Sequence, residues 1–244
     1  MGRKPSRSRP SRSSSAVKDQ GVLDGFFLAE AALDQEDAQE DLDLVAFDEK
    51  WGQRPLCGLD EAGRGPLAGP LVAAAVILDP AVDWTGVNDS KKLTAEERDR
   101  LYERIMGQAL ATAVAIKSAQ DVDRLNPLAA SLMAMAEACA GLRIVPVLAL
   151  VDGNKKPVLP CPTQAVIHGD ARSLAIAAAS IVAKVTRDRL MLEAHQLYPL
   201  YGFDRHKGYG TKDHLLALAQ HGPCPLHRQT YRGVKPPEPG LFDD

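Results

Sequence analysis

Four acids follow short apolar segments of the chain, and acids in such positions can bind metal ions. Asp60 and Glu61 follow one segment, Asp152 a second and Asp170 a third. An acid at the end of a buried strand lies where the core meets a cleft, and open α/β sheets bind ligands at such edges. Like charges repel, so gathering these acids is costly without a cation. Oxygen ligands suit Mg²⁺ or Mn²⁺, and two such ions about 4 Å apart can hydrolyse a phosphodiester. We therefore predict a divalent-metal nuclease site.

Asp60 and Glu61 are neighbours, which raises a question of geometry. Successive residues of a strand point to opposite faces, so both cannot point inward from an ideal strand. We expect the turn Gly63-Arg64-Gly65 to bend the chain there, or Glu61 to contribute partly through its backbone.

The elements that must position these acids alternate between strands and helices. Thr94 and Glu97 form the capping box of one helix, and Asn126-Pro127 opens another. This alternation predicts an α/β layered domain. The predicted strands are 56–60, 71–78, 114–117, 147–151 and 165–168, and the predicted helices are 94–112, 127–141, 173–197 and 211–220.

The net charge of −3 hides a strong asymmetry along the chain. Residues 1–15 carry five basic residues and no acid, and we expect a disordered basic tail. Residues 16–50 carry eleven acids against two lysines and predict an acidic extension. The remainder is near neutral, so any nucleic-acid binding must come from a local basic face. The tail is either an electrostatic tether or a solubilising segment, and the extension is a candidate for autoinhibition.

Membrane insertion and export are not expected. No stretch approaches the roughly 20 apolar residues of a membrane helix, and the first residues lack the apolar core of a secretory signal. The four cysteines form no CxxC pair, which is typical of a reducing compartment. These features predict a soluble, cytoplasmic protein, which we expect to be a monomer.

Six motifs in order resemble the ribonuclease HII family over about residues 50–235. They are GLDEAGRGPLAGPLVAAAVIL (58–78), NDSKKL (88–93), VDGN (151–154), GDARSLAIAAASIVAKVTRDRLM (169–191), HKGYGT (206–211) and PLHR (225–228). The resemblance implies a ribonuclease H-like mixed β-sheet flanked by helices, with a catalytic core at 51–200 and a small C-terminal helical extension and tail at 201–244. It implies an endonuclease that cuts the RNA strand of RNA–DNA hybrids. It further implies cutting on the 5′ side of single ribonucleotides in duplex DNA, as in ribonucleotide excision repair.

Matching positions carry the family's site residues onto this chain. The family's metal-binding acids, with Mn²⁺ or Mg²⁺ as cofactor, match Asp60, Glu61, Asp152 and Asp170. The turn that reads the 2′-hydroxyl of the ribonucleotide through its backbone matches Gly63, Arg64 and Gly65. The segment that approaches the scissile phosphate contains Lys91, and the aromatic residue beside the sugar at the RNA-to-DNA junction matches Tyr209.

Two other classes of protein remain open from the residues alone. A junction resolvase or proofreading exonuclease of the same fold would need the acids but not the glycine turn or Tyr209. A hybrid-binding protein without catalysis would gain from losing acids that repel phosphates.

Several further residues have alternative interpretations. Asp188 either ligates a metal or pairs with Arg187, Arg189 or a backbone amide. Lys184 and Arg187 face either the nucleic-acid backbone or solvent. We expect His206 and His214 on the surface or against nucleic acid, and Leu132, Met133 and Met135 in the core. His221, Cys224 and His227, with Cys161, have a spacing compatible with zinc. The pair Leu241-Phe242 is either a motif that docks weakly on a sliding clamp or a frayed terminus.

Overall fold

The computed structural model describes residues 1–2 and 43–235. The chain divides into two units, residues 1–41 and 42–244. The predicted basic tail, most of the acidic extension and the pair Leu241-Phe242 lie outside the described residues. The domain boundaries stay predictions.

A five-stranded mixed sheet forms the centre of the fold, in the order β3-β2-β1-β4-β5. Strands β1, β2 and β3 pair antiparallel, whereas β1 pairs in parallel with β4, and β4 with β5. Three strands therefore point the same way and end at one edge. The strands are β1 (Leu56–Ala62), β2 (Leu71–Ile77), β3 (Ala111–Lys117), β4 (Leu148–Asp152) and β5 (Thr163–Val166).

Helices cover both faces of this sheet, as the α/β prediction required. The longest, α5, packs across β1 and β2 on one face, and α4 packs on the other. The helices are α1 (Leu44–Glu49), α2 (Ala95–Gln108), α3 (Ala119–Leu125), α4 (Pro127–Ala140), α5 (Leu174–Leu197), α6 (Phe203–His206) and α7 (Lys212–His221), with 3-10 turns at Gly169–Ala171 and Pro199–Tyr201.

Strand β2 shows why the sheet is buried on both sides. Its run LVAAAVI is wholly buried, as its unbroken apolar character predicts. Leu71 and Ala73 pack in the core on the α4 side, whereas Ala74 and Val76 pack with α2 and α5 on the other. The alternation along one strand therefore joins the two halves of the core.

The element boundaries differ from the sequence prediction at several points, of which three concern the elements around the acids and the sheet. Thr94 and Glu97 do form the capping box, but α2 ends at Gln108 and the next strand begins at Ala111, earlier than expected. Helix α3 was not predicted; Ser118 caps it in a box with Asp121. Strand β5 covers Thr163–Val166, so the acid after it lies in a short 3-10 turn rather than directly at the strand's end.

Helix α1 is tied to the core although it belongs to the acidic segment of the sequence. Asp43 caps it by accepting from the amides of Val45 and Ala46. Phe47 is buried, and one oxygen of Asp48 accepts from the amide of Ala175 at 2.8 Å. The acid thus binds a free amide in the first turn of α5.

The C-terminal elements pack as a small apolar group against the end of α5. Its centre contains Met191, Tyr201 and Phe203, with Ala68 from the loop between β1 and β2. This contact brings the segment after α5 onto the loop that carries the glycine turn. Within the described residues, no helix is long and apolar enough to cross a lipid bilayer.

Candidate active site

Three of the four acids lie at the edge where the parallel strands end. Leu59 pairs with Val151 as the last parallel pair of β1 and β4, so the next residues, Asp60 and Asp152, lie side by side on neighbouring strands. Asp152 pairs in turn with Val166, four residues before Asp170. Parallel pairing therefore gathers acids that are far apart in the sequence.

Glu61 reaches the same cleft from the other face of the sheet. Strand β1 remains regular through Ala62, so the expected bend at Glu61 does not occur. Asp60 lies on the face covered by α5, while Glu61 lies on the α4 face and hydrogen-bonds Ser131. Both line one cleft of about 500 Å³ because they stand at the sheet's edge. The other residues lining it are Ala62, Gly63, Arg64, Gly65, Ser90, Lys91, Arg98, Asp152, Ser180, Lys184 and Tyr209.

Each acid has a protein donor. The Asp170 carboxylate pairs with the ammonium of Lys91 at 2.5 Å, and Asp152 accepts from the amide of Gly169 at 2.8 Å. Asp60 accepts from the amide of Glu61 at 2.7 Å, and Glu61 pairs with Arg64 at 3.1 Å. Among the described residues, no three His, Cys, Asp or Glu side chains already form a metal site. A bound cation would replace Lys91 as the partner of Asp170, and Arg64 as the partner of Glu61.

The electrostatics of the acids nevertheless fit a divalent cation. Burial raises the pKa of Asp60 well above its usual range, and the charges of Glu61, Asp152 and Asp170 raise it further. Burial and the charge of Asp170 raise the pKa of Asp152, and burial raises that of Glu61. Ionising these carboxyls together needs compensating positive charge, and a set of oxygen donors suits Mg²⁺ or Mn²⁺.

Lys91 is held over the acids by contacts that the sequence did not indicate. Its pKa is raised: burial acts to lower it, but the ion pair with Asp170 outweighs burial. The preceding residue, Ser90, shares a 2.7 Å hydrogen bond with Ser180 on α5. Arg98 donates to the carbonyl oxygen of Ser90 at 2.9 Å. The loop that carries Lys91 is therefore fastened at two points.

The structure requires glycine at position 63 of the turn but not at position 65. Gly63 has φ +94°, and a Cβ there would lie 2.1 Å from Nε of Arg187 and 2.7 Å from the carbonyl oxygen of Pro70. The fold therefore requires glycine at this position. At Gly65 the added Cβ would meet nothing within 4 Å. Packing does not explain the glycine at 65, and it leaves an open surface beside the acids.

Arg187 is buried rather than facing nucleic acid or solvent, so both interpretations of this residue were wrong. It is 1% exposed, and burial lowers its pKa to about 10. Its guanidinium donates to the carbonyl oxygens of Pro70, Ala68 and Lys207 at 2.9, 3.2 and 2.9 Å. It also lies 5.8 Å from the ring of Tyr209. One side chain thus joins α5, the loop after β1 and the segment of Tyr209.

Tyr209 stands at the rim of the cleft with 47% of its surface exposed. Its backbone is fixed from below, because its carbonyl oxygen accepts from Nδ1 of His214 at 2.9 Å. His214 is fully buried, so its expected place on the surface was wrong. Burial lowers its pKa, which keeps the ring neutral.

Three hydrogen bonds, which run from Cys224 through the neutral rings of His227 and His214, form a chain that ends on Tyr209. The amide of Cys224 donates to Nδ1 of His227 at 2.9 Å, and Nε2 of His227 lies 3.0 Å from Nε2 of His214. Because Nδ1 of His214 donates to Tyr209, its Nε2 must accept, and His227 is the donor. Burial and the neighbouring His214 lower the pKa of His227 to about 4.

Other sequence interpretations fall elsewhere in the structure. Asp188 pairs with Lys184 at 2.8 Å, not with either neighbouring arginine. Met135 is in the core as expected, but Met133 is 43% exposed. For the zinc spacing, both ring nitrogens of His227 are already engaged, and Cys161 hydrogen-bonds Cys139 instead.

Comparison with known proteins is consistent with this geometry. The family model for ribonuclease HII matches residues 57–234. Ribonuclease HII 1 of Methylibium petroleiphilum is 57% identical over 178 residues, which are 73% of this chain and 90% of the relative. The ribonuclease H2 structure from Pyrococcus horikoshii has a TM-score of 0.65 at 29% identity, covering 73% of this chain and 94% of that one. A chain of the PCNA:RNase HII complex from Archaeoglobus fulgidus has a TM-score of 0.62 at 27% identity, covering 78% and 99%.

The mixed sheet, with acids at the ends of its parallel strands, defines a nuclease of the ribonuclease H-like fold. The chain belongs to the ribonuclease HII family. It is therefore an endoribonuclease, and the activity of its family depends on divalent metal ions.

Proposed function

We propose that this endoribonuclease hydrolyses the RNA strand of RNA–DNA hybrids and also cuts on the 5′ side of single ribonucleotides in duplex DNA. The observation that carries this proposal is the open surface at Gly65, which adjoins the acids at the sheet's edge. A backbone surface free of side chains suits close contact with a ribose, whose 2′-hydroxyl distinguishes RNA from DNA.

Asp60, Glu61, Asp152 and Asp170 are the proposed catalytic, metal-binding residues. Two Mg²⁺ or Mn²⁺ ions held by these carboxylates would activate a water and offset the charge that builds on the phosphate oxygens. Asp60 and Asp170, both buried, would hold the ions most directly, while Asp152 and Glu61 would complete the set from neighbouring positions. Water attacking the phosphorus would leave a 3′-hydroxyl and a 5′-phosphate.

Substrate contacts are proposed for residues around the same cleft. Gly63, Arg64 and Gly65 would read the 2′-hydroxyl, with the exposed Arg64 free to leave Glu61 for a phosphate. The ammonium of Lys91, released from Asp170, would bind the backbone near the scissile bond. The exposed ring of Tyr209 would pack beside the sugar at the junction.

A related nuclease without ribonucleotide recognition is the main rival. It would need the acids alone, and nothing in its reaction would call for a glycine at position 65. The cleft combines the acids with that glycine and with Tyr209, which favours the ribonuclease.

The decisive experiment is cleavage of a DNA duplex that contains one ribonucleotide. An all-DNA duplex and a continuous hybrid are run beside it with Mg²⁺, Mn²⁺ or EDTA, for the unmodified chain and Asp170→Asn. We expect one metal-dependent cut on the 5′ side of the ribonucleotide, lost in the variant. Cutting of the all-DNA duplex would favour the rival nuclease. Tight binding without cleavage under either metal would favour a hybrid-binding protein.

We also propose a weak contact with a sliding clamp through Leu241-Phe242. The Archaeoglobus fulgidus neighbour was solved in a PCNA:RNase HII complex. A pull-down with the clamp in which Phe242→Ala changes nothing would refute this contact. The cytoplasmic location and the monomeric state stay predictions; the four cysteines are free thiols, as a reducing compartment would give.

A further inference from the structure

A buried guanidinium that the proposed chemistry does not use lies against the loop between β1 and β2. Arg228 is 0% exposed. Its side chain donates to the carbonyl oxygens of Gly63 at 2.6 Å, Arg64 at 3.0 Å and Gly69 at 2.9 Å. It also donates to the hydroxyl of Tyr231 at 3.1 Å. Each of these hydrogen bonds, within the described residues, ends on a neutral oxygen.

The backbone around Arg228 is fixed on the same loop. Its amide donates to the carbonyl oxygen of Leu67 at 2.9 Å, and the amide of Gly69 donates to the carbonyl oxygen of Leu226 at 2.9 Å. The two residues after it, Gln229 and Thr230, donate their amides to the carboxylate of Asp123 at 2.7 and 3.0 Å. Backbone hydrogen bonds therefore fix the segment both before and after Arg228, and this limits where its guanidinium can lie.

Tyr231 adds a second link to the turn. Its hydroxyl donates to the carbonyl oxygen of Arg64 at 2.6 Å while accepting from Arg228. The peptide between Arg64 and Gly65 therefore has two donors on one oxygen. This fixes the orientation of the peptide whose amide belongs to Gly65, the glycine that leaves the open surface.

Burying the guanidinium of Arg228 is unfavourable in free energy, which indicates a role other than stability. A buried arginine loses hydration, and burial lowers the pKa of Arg228, although the nearby charge of Asp123 acts to raise it. The hydrogen bonds of the guanidinium itself go to neutral oxygens and not to a carboxylate. Apolar side chains often fill such space with equal or better stability. A planar guanidinium has donors in a fixed fork, however, and can hold several carbonyl oxygens at defined angles. The glycines it holds have little conformational preference of their own.

We propose that Arg228 is a positioning residue that, with Tyr231, holds the Gly63–Gly65 turn in the conformation that selects a ribonucleotide. The inference rests on the proposed function of that turn. Arg228 does not touch the substrate; it acts through the backbone carbonyl oxygens of Gly63 and Arg64.

The test measures ribonucleotide preference separately from stability. In an Asp170→Asn background, so that substrate is not cut, dissociation constants are measured for a duplex with one ribonucleotide and for the same all-DNA duplex. Lysine has one ammonium in place of the fork, so Arg228→Lys should reduce the ratio of the two constants by about tenfold. Tyr231→Phe keeps Arg228 and removes one donor, and should reduce the ratio by about threefold. Arg143→Lys, at an exposed arginine that donates to the carbonyl oxygen of Leu110, is the control and should leave the ratio unchanged.

The outcomes separate the inference from the function beneath it. A ratio unchanged in Arg228→Lys, with a melting temperature that shows a folded protein, would overturn the inference alone. If that variant fails to fold, Tyr231→Phe decides, and an unchanged ratio there would overturn the inference as well. A parent that binds both duplexes equally would overturn ribonucleotide recognition itself, and with it this inference. A matching loss of affinity for both duplexes would show a purely structural role and would also overturn the inference.

Discussion

The acids and the glycine turn stand side by side, but different parts of the fold position them. Asp60 and Asp152 are placed by the pairing of two neighbouring strands, so order within the sheet is sufficient. The turn at Gly63 is held by Arg228, from the segment after α7, which donates to its carbonyl oxygen. It also packs against Arg187 from α5. Paired strands fix the positions of these acids because backbone pairing fixes their register. A flexible turn needs rigid groups from distant segments to fix it.

This difference separates the two tasks of the site. The acids are costly to bring together, and burial raises the pKa of Asp60 well above its usual range. The turn is costly to hold still, and two buried guanidiniums do so. Changes among the acids should therefore act on chemistry and charge, whereas changes around the turn should act on substrate choice.

The largest effect is expected from Asp60→Asn, which should reduce cleavage by about a thousandfold, because the metal supplies several kcal/mol of stabilisation in the transition state. The same change should raise the melting temperature of the metal-free protein. The pKa of Asp60 is higher in the folded than in the unfolded chain, so at neutral pH its charge opposes folding. Initial cleavage rates measure the first effect. Calorimetry with and without Mn²⁺ measures the second, together with the rise in melting temperature that a bound ion causes.

The matched control for that change is Asp99→Asn. Asp99 is exposed and pairs with Arg189, away from the cleft. Its substitution should leave both the cleavage rate and the metal-induced rise in melting temperature unaltered. Retention of full activity in Asp60→Asn would contradict the assignment of the acids.

The second largest effect is expected at the glycine turn, where one substitution should slow cleavage and the other should lower stability. Gly65→Ala should fold as well as the parent, because its Cβ meets no protein atom within 4 Å. It should slow cleavage by about a hundredfold, since displacing a bound substrate by about 1 Å has an effect of that size. Gly63→Ala should instead cost about 2 kcal/mol of stability or more, because it is strained at φ +94° and crowded by Arg187.

Thermal melting and initial rates for the two variants distinguish these outcomes. A Gly65→Ala protein that cuts at the parent's rate would show that the open surface is not where the ribose lies. Equal melting temperatures for both variants would contradict the different structural reasons for the two glycines.

The sequence predicted the acids and their strands better than it predicted the contacts that hold the glycine turn. The acids, the strands behind them and the capping box at Thr94 were predicted, because each depends on a local pattern of apolar and polar residues. Arg187 was misread as a helix-surface residue. A signal was present: it lies four residues after Ala183 and four before Met191, both fully buried, on one stripe of α5.

Other contacts had no local signal. His214 joins His227 across 13 residues, and Arg228 joins Gly63 across 165. No pattern of propensity or periodicity encodes such pairs, because tertiary packing decides them. The PLHR motif contains Arg228 but gave it neither a role nor a partner.

A smaller effect is expected from the aromatic at the rim of the cleft. Tyr209→Ala should weaken binding of the substrate by about tenfold, the usual range for a lost aromatic contact with a nucleotide. Stability should change little, because 47% of the residue is exposed. Fluorescence anisotropy with the single-ribonucleotide duplex measures the affinity. Tyr102→Ala, at a tyrosine that contacts Arg189, is the control and should bind as the parent does.

The smallest effect on cleavage at neutral pH, and a distinct one in acid, is expected from the histidines beneath Tyr209. The pKa of His227 falls from its ordinary value of 6.5 to about 4 in the folded chain, because of burial and the neighbouring His214. The fold therefore favours the neutral ring: this contribution is intact above pH 6.5 and is lost as the pH falls from 6.5 to about 4. The loss should reach about 3 kcal/mol, since a tenfold change in proton affinity corresponds to about 1.4 kcal/mol.

Denaturant unfolding at a series of pH values measures this loss of stability. His227→Phe should flatten that pH dependence, whereas His221→Phe, at an exposed ring, should leave it as in the parent. The same pH dependence of stability between pH 6.5 and 4 in the parent and in His227→Phe would contradict the neutral chain from Cys224 to Tyr209.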